Sequence, residues 1–317
     1  MKKILLTSTA LVAFAGAAAA EVSISGSAEM GIFGTDSADT QFHTDVDVTF
    51  SMSGETDGGL SFGASVDLDE AAGLGFEEGN AGFAVFISGG FGTITMGDTD
   101  GAMDWALTEA GNVGNPGSLR DDETSHAGYW GSYHDGAAGV YDNQVLRYDN
   151  TFGDFGVALS FEQVQTGGES DIDMAWALGV KYDVELAGLD LALGLGYQSV
   201  NIANTDGDDD STIVGMSATT TFDNGLSAGL TYVSGDIFGV SDSSHFGLGF
   251  GYATGAVSLH ANYGKYDLDG FEVEGFGLAA AYDLGGGASV NFGYGSSDGD
   301  AFAESFDTYS LGLVMSF

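Results

Sequence analysis

An all-β fold, a transmembrane antiparallel β-barrel of 16 strands, is the class predicted by this 317-residue sequence. Three observations predict it. Apolar and small or polar residues alternate with period two in segments of about ten residues, a spacing that only a β-strand turns into two chemically distinct faces. Beyond the first twenty residues no stretch reaches the ~18 uninterrupted apolar residues of a membrane helix, and lipid accepts a sheet only when it is closed. The segments are even in number, and most are joined alternately by a tight Gly/Asp/Asn turn and a longer acidic connection, as in a barrel with two different ends.

The chain begins Met1-Lys-Lys-Ile-Leu-Leu, continues apolar to Ala17 and places Ala18-Ala-Ala20 before Glu21. A basic n-region, a short apolar run and small residues at the cleavage point read as a secretory signal peptide, residues 1–20. Residues 21–317 are then a single outer-membrane β-barrel domain. This part retains only Arg120, Arg147, Lys181 and Lys265 as basic residues against 47 acidic ones, a formal charge of −43. Such a charge repels nucleic acid and favours cations. Cysteine is absent, so disulfides and thiolate metal sites are excluded. With 53 glycines and one proline, turns are abundant and sheet breakers nearly absent.

The first strand is predicted over residues 22–32. Over 42–53, Phe42, Val46, Val48, Phe50 and Met52 share one face, while His43, Asp45, Asp47, Thr49 and Ser51 share the other. Carboxylates are prohibitive on lipid, so Asp45 and Asp47 line the lumen. The turn Gly54-Glu-Thr-Asp-Gly-Gly59 leads into 60–68, where Asp67 and Asp69 are assigned to the same lumen wall. Further pairs are predicted at 81–88 with 93–97, 144–149 with 155–162, 174–184 with 189–197, and 214–222 with 226–232. The last of these turns at Asp223-Asn-Gly225, a strong hairpin signal. Pairs at 246–252 with 257–263 and 276–282 with 290–294 follow, and 309–317 closes the set. Aromatics such as Tyr148, Tyr182, Tyr197, Tyr263 and Tyr294 end many strands and read as interfacial girdles. A soluble β-sandwich would explain neither sixteen units nor acidic residues opposite a continuous apolar face.

The run Phe91-Gly-Thr-Ile-Thr-Met-Gly-Asp98, then a long loop, then Asn143-Gln-Val-Leu-Arg-Tyr148 resembles the sixteen-stranded general porins, especially those of purple non-sulfur alphaproteobacteria. Glu21-Val-Ser-Ile-Ser-Gly26, the hairpin from Phe50 to Ala64 and Ala281-Tyr-Asp-Leu-Gly-Gly-Gly-Ala-Ser289 are similar to that group, so the resemblance spans essentially the whole mature chain. It implies a homotrimer of water-filled barrels in the outer membrane of a Gram-negative bacterium, with lipid and lipopolysaccharide as surroundings and a third long loop folded into the lumen as the constriction. The matching loop is residues 98–139, which holds Asp98, Asp100, Asp104, Glu109, Asp121, Asp122 and Glu123 beside Trp105, Pro116 and Arg120. Family members oppose loop carboxylates to a cluster of wall arginines. Here only Arg147 and Lys181 qualify, so a net-negative constriction is expected in place of a transverse field. The stripe Tyr309, Leu311, Leu313, Met315, Phe317 resembles the C-terminal signal read by the barrel-assembly machinery, which makes Tyr309 and Phe317 the assembly residues.

The expected function is passive diffusion of small hydrophilic solutes and ions, with cations favoured, and no enzymatic activity or cofactor. Asp206-Gly-Asp-Asp-Asp210 offers oxygen ligands of the kind Ca²⁺ takes but lacks the EF-hand spacing. It reads as a solvated extracellular loop, with loop-bound Ca²⁺ as the alternative. Gly295-Ser-Ser-Asp-Gly299 matches G-x-S-x-G without a strand-to-helix context, which argues against a nucleophile elbow. Of five scattered histidines, only His126 and His134 lie together beside loop carboxylates, as a metal pairing to test. The competing classes are a barrel enzyme of protease or lipase type, which needs a nucleophile and base at the rim, and a soluble acidic Ca²⁺-binding β protein, which needs a nine-residue repeat. Neither signature is found.

Overall fold

The computed structural model describes residues 20–68, 82–119, 126–129, 144–163, 174–186, 189–204, 207–237 and 240–317. Residues 1–19 of the expected signal peptide lie outside them, as do Asp69, Arg120, Asp121, Asp122, Glu123, His134 and Asp206. The strands in chain order are β1 (Glu21–Thr35), β2 (Ala38–Glu55), β3 (Ser61–Asp67), β4 (Phe83–Gly89), β5 (Gly92–Gly97), β6 (Gln144–Phe152), β7 (Phe155–Gln163) and β8 (Ala175–Leu186). They continue with β9 (Leu189–Asn204), β10 (Gly207–Phe222), β11 (Leu226–Ile237), β12 (Val240–Thr254), β13 (Val257–Leu268), β14 (Phe271–Gly285), β15 (Ala288–Gly299) and β16 (Phe306–Ser316). Each pairs antiparallel with its sequence neighbours, and β1 closes on β16 to make a barrel without an edge.

Period two carries through every ladder. At the closing seam Met30 pairs with Leu313 and Ile32 with Leu311, while Gly31 and Gly312 between them face the opposite way. Val46, Leu195 and Phe250 keep 66%, 59% and 56% of their surface exposed. An apolar face that open on all sides of the barrel belongs in lipid rather than water.

The two ends differ less than expected. Acidic connections are expected around residues 33–41, 198–213, 233–245 and 264–275, but there the strands run on until two residues separate them. At the tip of the β13–β14 hairpin only Asp269 and Gly270 intervene, both with positive φ (54° and 84°), the conformation that Asp-Gly favours in a two-residue hairpin. Likewise residues 207–210 of the acidic block are the start of β10, paired with 201–204 of β9, so the expected loop is a strand. Above the lipid neither face must be apolar, so ladder hydrogen bonds can extend these hairpins without a lipid-facing apolar stripe. The longest connection, residues 98–143 between β5 and β6, carries the short helix α1 (Ala102–Ala106) and a 3-10 turn (Ala110–Asn112) among its described residues.

The buried apolar core lies on the inward face beneath that connection. Ala102, Met103 and Leu107 pack with Ala175, Ala177, Val200, Ile213 and Val233, all inward-facing. Apolar inward residues thus sit among polar ones where the connection covers the wall.

Candidate functional site

The segment 98–119 follows the inner wall from β6 round to β1, and polar wall side chains anchor it at each step. At its foot the carboxylate of Asp98 accepts the Gly82 amide, and Asp98 N–H donates to Phe83 O (2.7 Å). Asp98 thus serves the backbone. Arg147 Nη1 donates to Asp100 O (2.7 Å) and lies 3.8 Å from the Asp100 carboxylate, while Nε donates to Asp149 Oδ1 (3.2 Å). Desolvation, followed by the Asp104 carboxylate, pushes Asp100 up, with Arg147 pulling the other way.

Ser160 Oγ on β7 accepts the first amide of α1, that of Ala102, at 2.8 Å. Beneath it the buried Glu162 takes hydrogen bonds from Ser160 and from Gln198 on β9. Met103 and Ala106 face the wall, and Trp105 lies under Lys181 of β8, whose Nζ is 3.6 Å from the ring centroid. Ser217 accepts the Thr108 amide (3.0 Å), and Thr231 both accepts from Ala110 N–H and donates to Thr108 O. Further round, Asn291 Nδ2 donates to the carbonyls of Pro116 and Gly117 (3.1 and 3.0 Å), and Leu119, fully buried, fills the space over Gly31 and Gly312.

So close an approach needs missing side chains. A Cβ on Gly179 would strike the Ala102 carbonyl, one on Gly194 the Ala106 carbonyl, and one on Gly249 the Ala110 carbonyl. These inward glycines alternate with outward apolar residues, as in Gly247-Leu-Gly-Phe-Gly251. That alternation was the available signal for the segment's bed, and reading glycine only as turn chemistry passes over it. Ser160, Ser217, Thr231 and Asn291 were missed as well, because single mid-strand polar residues look like ordinary lumen positions.

The wall formed by β1–β3 stands half a turn of the ring from β9–β11. Asp45, Asp47 and Asp67 are on its inward face, Thr49 Oγ1 donating to Asp67 Oδ2 at 3.3 Å. Glu29 joins them directly opposite Asp45 and is held by His43 Nε2 at 3.0 Å. The segment adds Asp104 and Glu109, both partly exposed, with Asn112 Nδ2 donating to Glu109 Oε2 (2.8 Å). Carboxylates therefore border the open part of the lumen on two sides, while Arg147 and Lys181 are both tied to the segment's backbone. His126 is buried and hydrogen-bonded to Asn262, and among the described residues no three His, Asp or Glu side chains converge as a metal site. Ser297, the central serine of G-x-S-x-G, lies within β15 and accepts the Ala127 amide (3.0 Å).

A family model described as Gram-negative porin matches residues 7–301. A porin of Rhodobacter capsulatus is 31% identical over 296 residues, which is 88% of this chain and 95% of the relative. Among solved structures, a porin refined at 1.8 Å superposes with a TM-score of 0.75 at 28% identity, covering 94% of this chain and all of that one. A triple mutant of Rhodopseudomonas blastica porin gives 0.64 at 20% identity over the same shares, a likeness of fold alone.

Proposed function

Because the chain belongs to the Gram-negative porin family, we propose that its outer-membrane channel passes small hydrophilic solutes by passive diffusion with a preference for cations. The observation that carries the selectivity is the arrangement of charge. Asp45, Asp47, Asp67 and Glu29 on the wall and Asp104 and Glu109 on the segment border the lumen, and the cations among them are bound to backbone carbonyls. Carboxylates beside a low-dielectric wall concentrate counter-ions and raise an electrostatic barrier to anions.

Segment 98–119, with the remainder of the connection to residue 139, is the proposed constriction. A barrel of sixteen strands leaves an aqueous channel after its side chains are placed, so narrowing requires an inserted element. In this reading Asp121, Asp122 and Glu123 add to the same negative rim. A homotrimer is the proposed assembly, as the resemblance to general porins implies, with lipopolysaccharide at the outer rim and the barrel-assembly machinery at the C-terminal stripe as partners. Divalent cations such as Ca²⁺ are the proposed bridges from the acidic hairpin tips to lipopolysaccharide. No catalytic role is proposed, since Ser297 anchors the loop and offers no nucleophile-elbow geometry.

Reversal potentials in planar bilayers under a KCl gradient test the selectivity. They should lie near the potassium value and weaken as salt rises, because screening shortens to about 3 Å at 1 M. An anion-selective potential would refute it. Deleting residues 99–122 tests the constriction: conductance and the size of sugars admitted in liposome swelling should both rise in a folded barrel.

A further inference from the structure

Three imidazoles in defined tautomers hold the connection: His126 within a second described stretch, residues 126–129, His245 on that stretch, and His260 on the segment at Val113. His126 Nδ1 accepts the Gly128 amide at 3.1 Å, and its Nε2 meets Asn262 Oδ1 at 2.9 Å. A backbone N–H can only donate, so Nδ1 is bare, Nε2 carries the proton and the ring is neutral. His245 on β12 donates Nε2–H to Gly128 O (3.0 Å), and His260 on β13 donates Nδ1–H to Val113 O (3.1 Å). The Nε2 of His260 is buried. Tyr129 stands edge-on to His126 and His245, at 6.1 and 5.1 Å between centroids, and its hydroxyl accepts the Gly111 amide at 2.9 Å. That bond ties 126–129 to the 3-10 turn of the segment.

We propose that His126, His245 and His260, in their neutral forms, position the inner segment, so that acidification releases it and widens the channel. The proposal rests on the reading that this segment narrows the channel. Protonating His126 sets a new N–H against the Gly128 amide and breaks that contact, and protonating His260 places a charge on a buried ring. Among the described residues that face the cluster, Tyr129 and Thr231 are uncharged, as are Asn262 and Tyr266 of β13 and Ser297 of β15, while Glu109 places a carboxylate near Tyr129. Burial holds the His126 imidazole down to about 4 and pushes the Tyr129 hydroxyl up to about 12.

The sign follows from proton counting. Between pH 6.5, the ordinary imidazole value, and about 4, the released stretch binds more protons than the docked one. The docked-to-released ratio therefore falls as pH drops through that window, by about tenfold per pH unit for this one group, and is independent of this group above it. Protonation of lumen carboxylates works in the opposite direction on conductance, because it removes the charge that gathers cations.

The test is single-channel conductance of the full chain in about 1 M KCl, where surface charge is screened, from neutral pH down to about 4. The wild type is compared with H126N/H245Q/H260N, whose amides keep a donor or acceptor on the segment and cannot be protonated. The wild type should show rising conductance and a rising polyethylene-glycol size cut-off as the pH falls below 5 toward about 4, and the variant a flat profile. Superimposable profiles would overturn the proposal. Imidazole NMR of the wild type in micelles reads the same point without a variant: His126 should remain neutral with its proton on Nε2 at pH 5, and titration at its ordinary value would overturn it. Deleting residues 99–122 separates the two readings. Raised conductance in the deletion together with a pH-insensitive wild type removes only the imidazole grip, whereas unchanged conductance in the deletion removes the constriction and the grip with it.

Discussion

The Lys181 ammonium lies over the indole of Trp105, 3.6 Å from the ring centroid, and donates to the Trp105 carbonyl at 3.3 Å. One of the few positive charges of the lumen is thereby spent on holding the segment. A cation over an indole is worth about 0.5–2 kcal/mol depending on desolvation. Trp105→Ala should free the ammonium and loosen α1, lowering the potassium-to-chloride permeability ratio and raising conductance in the same bilayer recording. A ratio equal to wild type would show that Lys181 is already screened where it stands.

Arg147 makes the converse case. It holds the Asp100 carbonyl and the Asp149 carboxylate, so Arg147→Ala removes a positive charge and one foot of the segment together. Cation preference should increase and conductance should rise. Falling cation preference would mean that Arg147 does not face the permeating ions.

The wall carboxylates are predicted to act individually and to be salt-sensitive. A charge about 8 Å from an ion in water contributes roughly 0.5 kcal/mol, about a twofold bias per carboxylate. Replacing Asp45, Asp47 and Asp67 by Asn should therefore cut the permeability ratio about eightfold at low salt and much less at high salt. A reversal potential that ignores the triple substitution would place selectivity on the segment alone.

Close packing of the segment gives a steric prediction. Gly249→Val drives a side chain into the Ala110 carbonyl, and overpacking of this kind costs about 1–3 kcal/mol. Because the strand itself is undisturbed, the barrel should still form while the segment is displaced, which raises conductance. Gly90→Ala, where a Cβ meets nothing within 4 Å, is the control and should match wild type in both assays.

How much of this can be read from sequence depends on which period carries the information. Strand positions and their two faces are legible because lipid imposes alternation: Phe42, Val46 and Phe50 set one face and Asp45 and Asp47 the other. Beyond the lipid that constraint lapses, so the strand starting at Gly207 reads as an acidic loop although it pairs with β9. The bed of the segment is written in the same period two, as glycine and serine at inward positions, yet its route is not. Ser160, Ser217, Thr231 and Asn291 come from four strands, and only closure of the sheet brings them onto one path. Glu29 escaped notice for a related reason: its importance comes from standing across the ladder from Asp45, a register that the sequence does not show.

The C-terminus closes the barrel and yields the last prediction. Phe317 N–H donates to Gly26 O at 2.9 Å and Gly26 N–H returns to Phe317 O at 3.4 Å, so the final residue completes the seam between β16 and β1. Its ring, 70% exposed, also ends the outward stripe of Leu311, Leu313 and Met315. At the other end of the seam Tyr309 reaches across Gly34 to Thr40, the two hydroxyls 2.5 Å apart. Deleting Phe317 removes both backbone bonds and the terminal aromatic, while Phe317→Ala keeps the bonds and removes only the ring. If the ring is read during assembly, both variants should yield far less heat-modifiable barrel in outer membranes than Leu313→Ala, which trims the middle of the same stripe. If instead the backbone seam decides, Phe317→Ala should assemble like wild type and only the deletion should fail. Gel mobility of unheated membrane samples distinguishes the two, and equal yields from all three variants would assign Phe317 no role beyond covering lipid-facing surface.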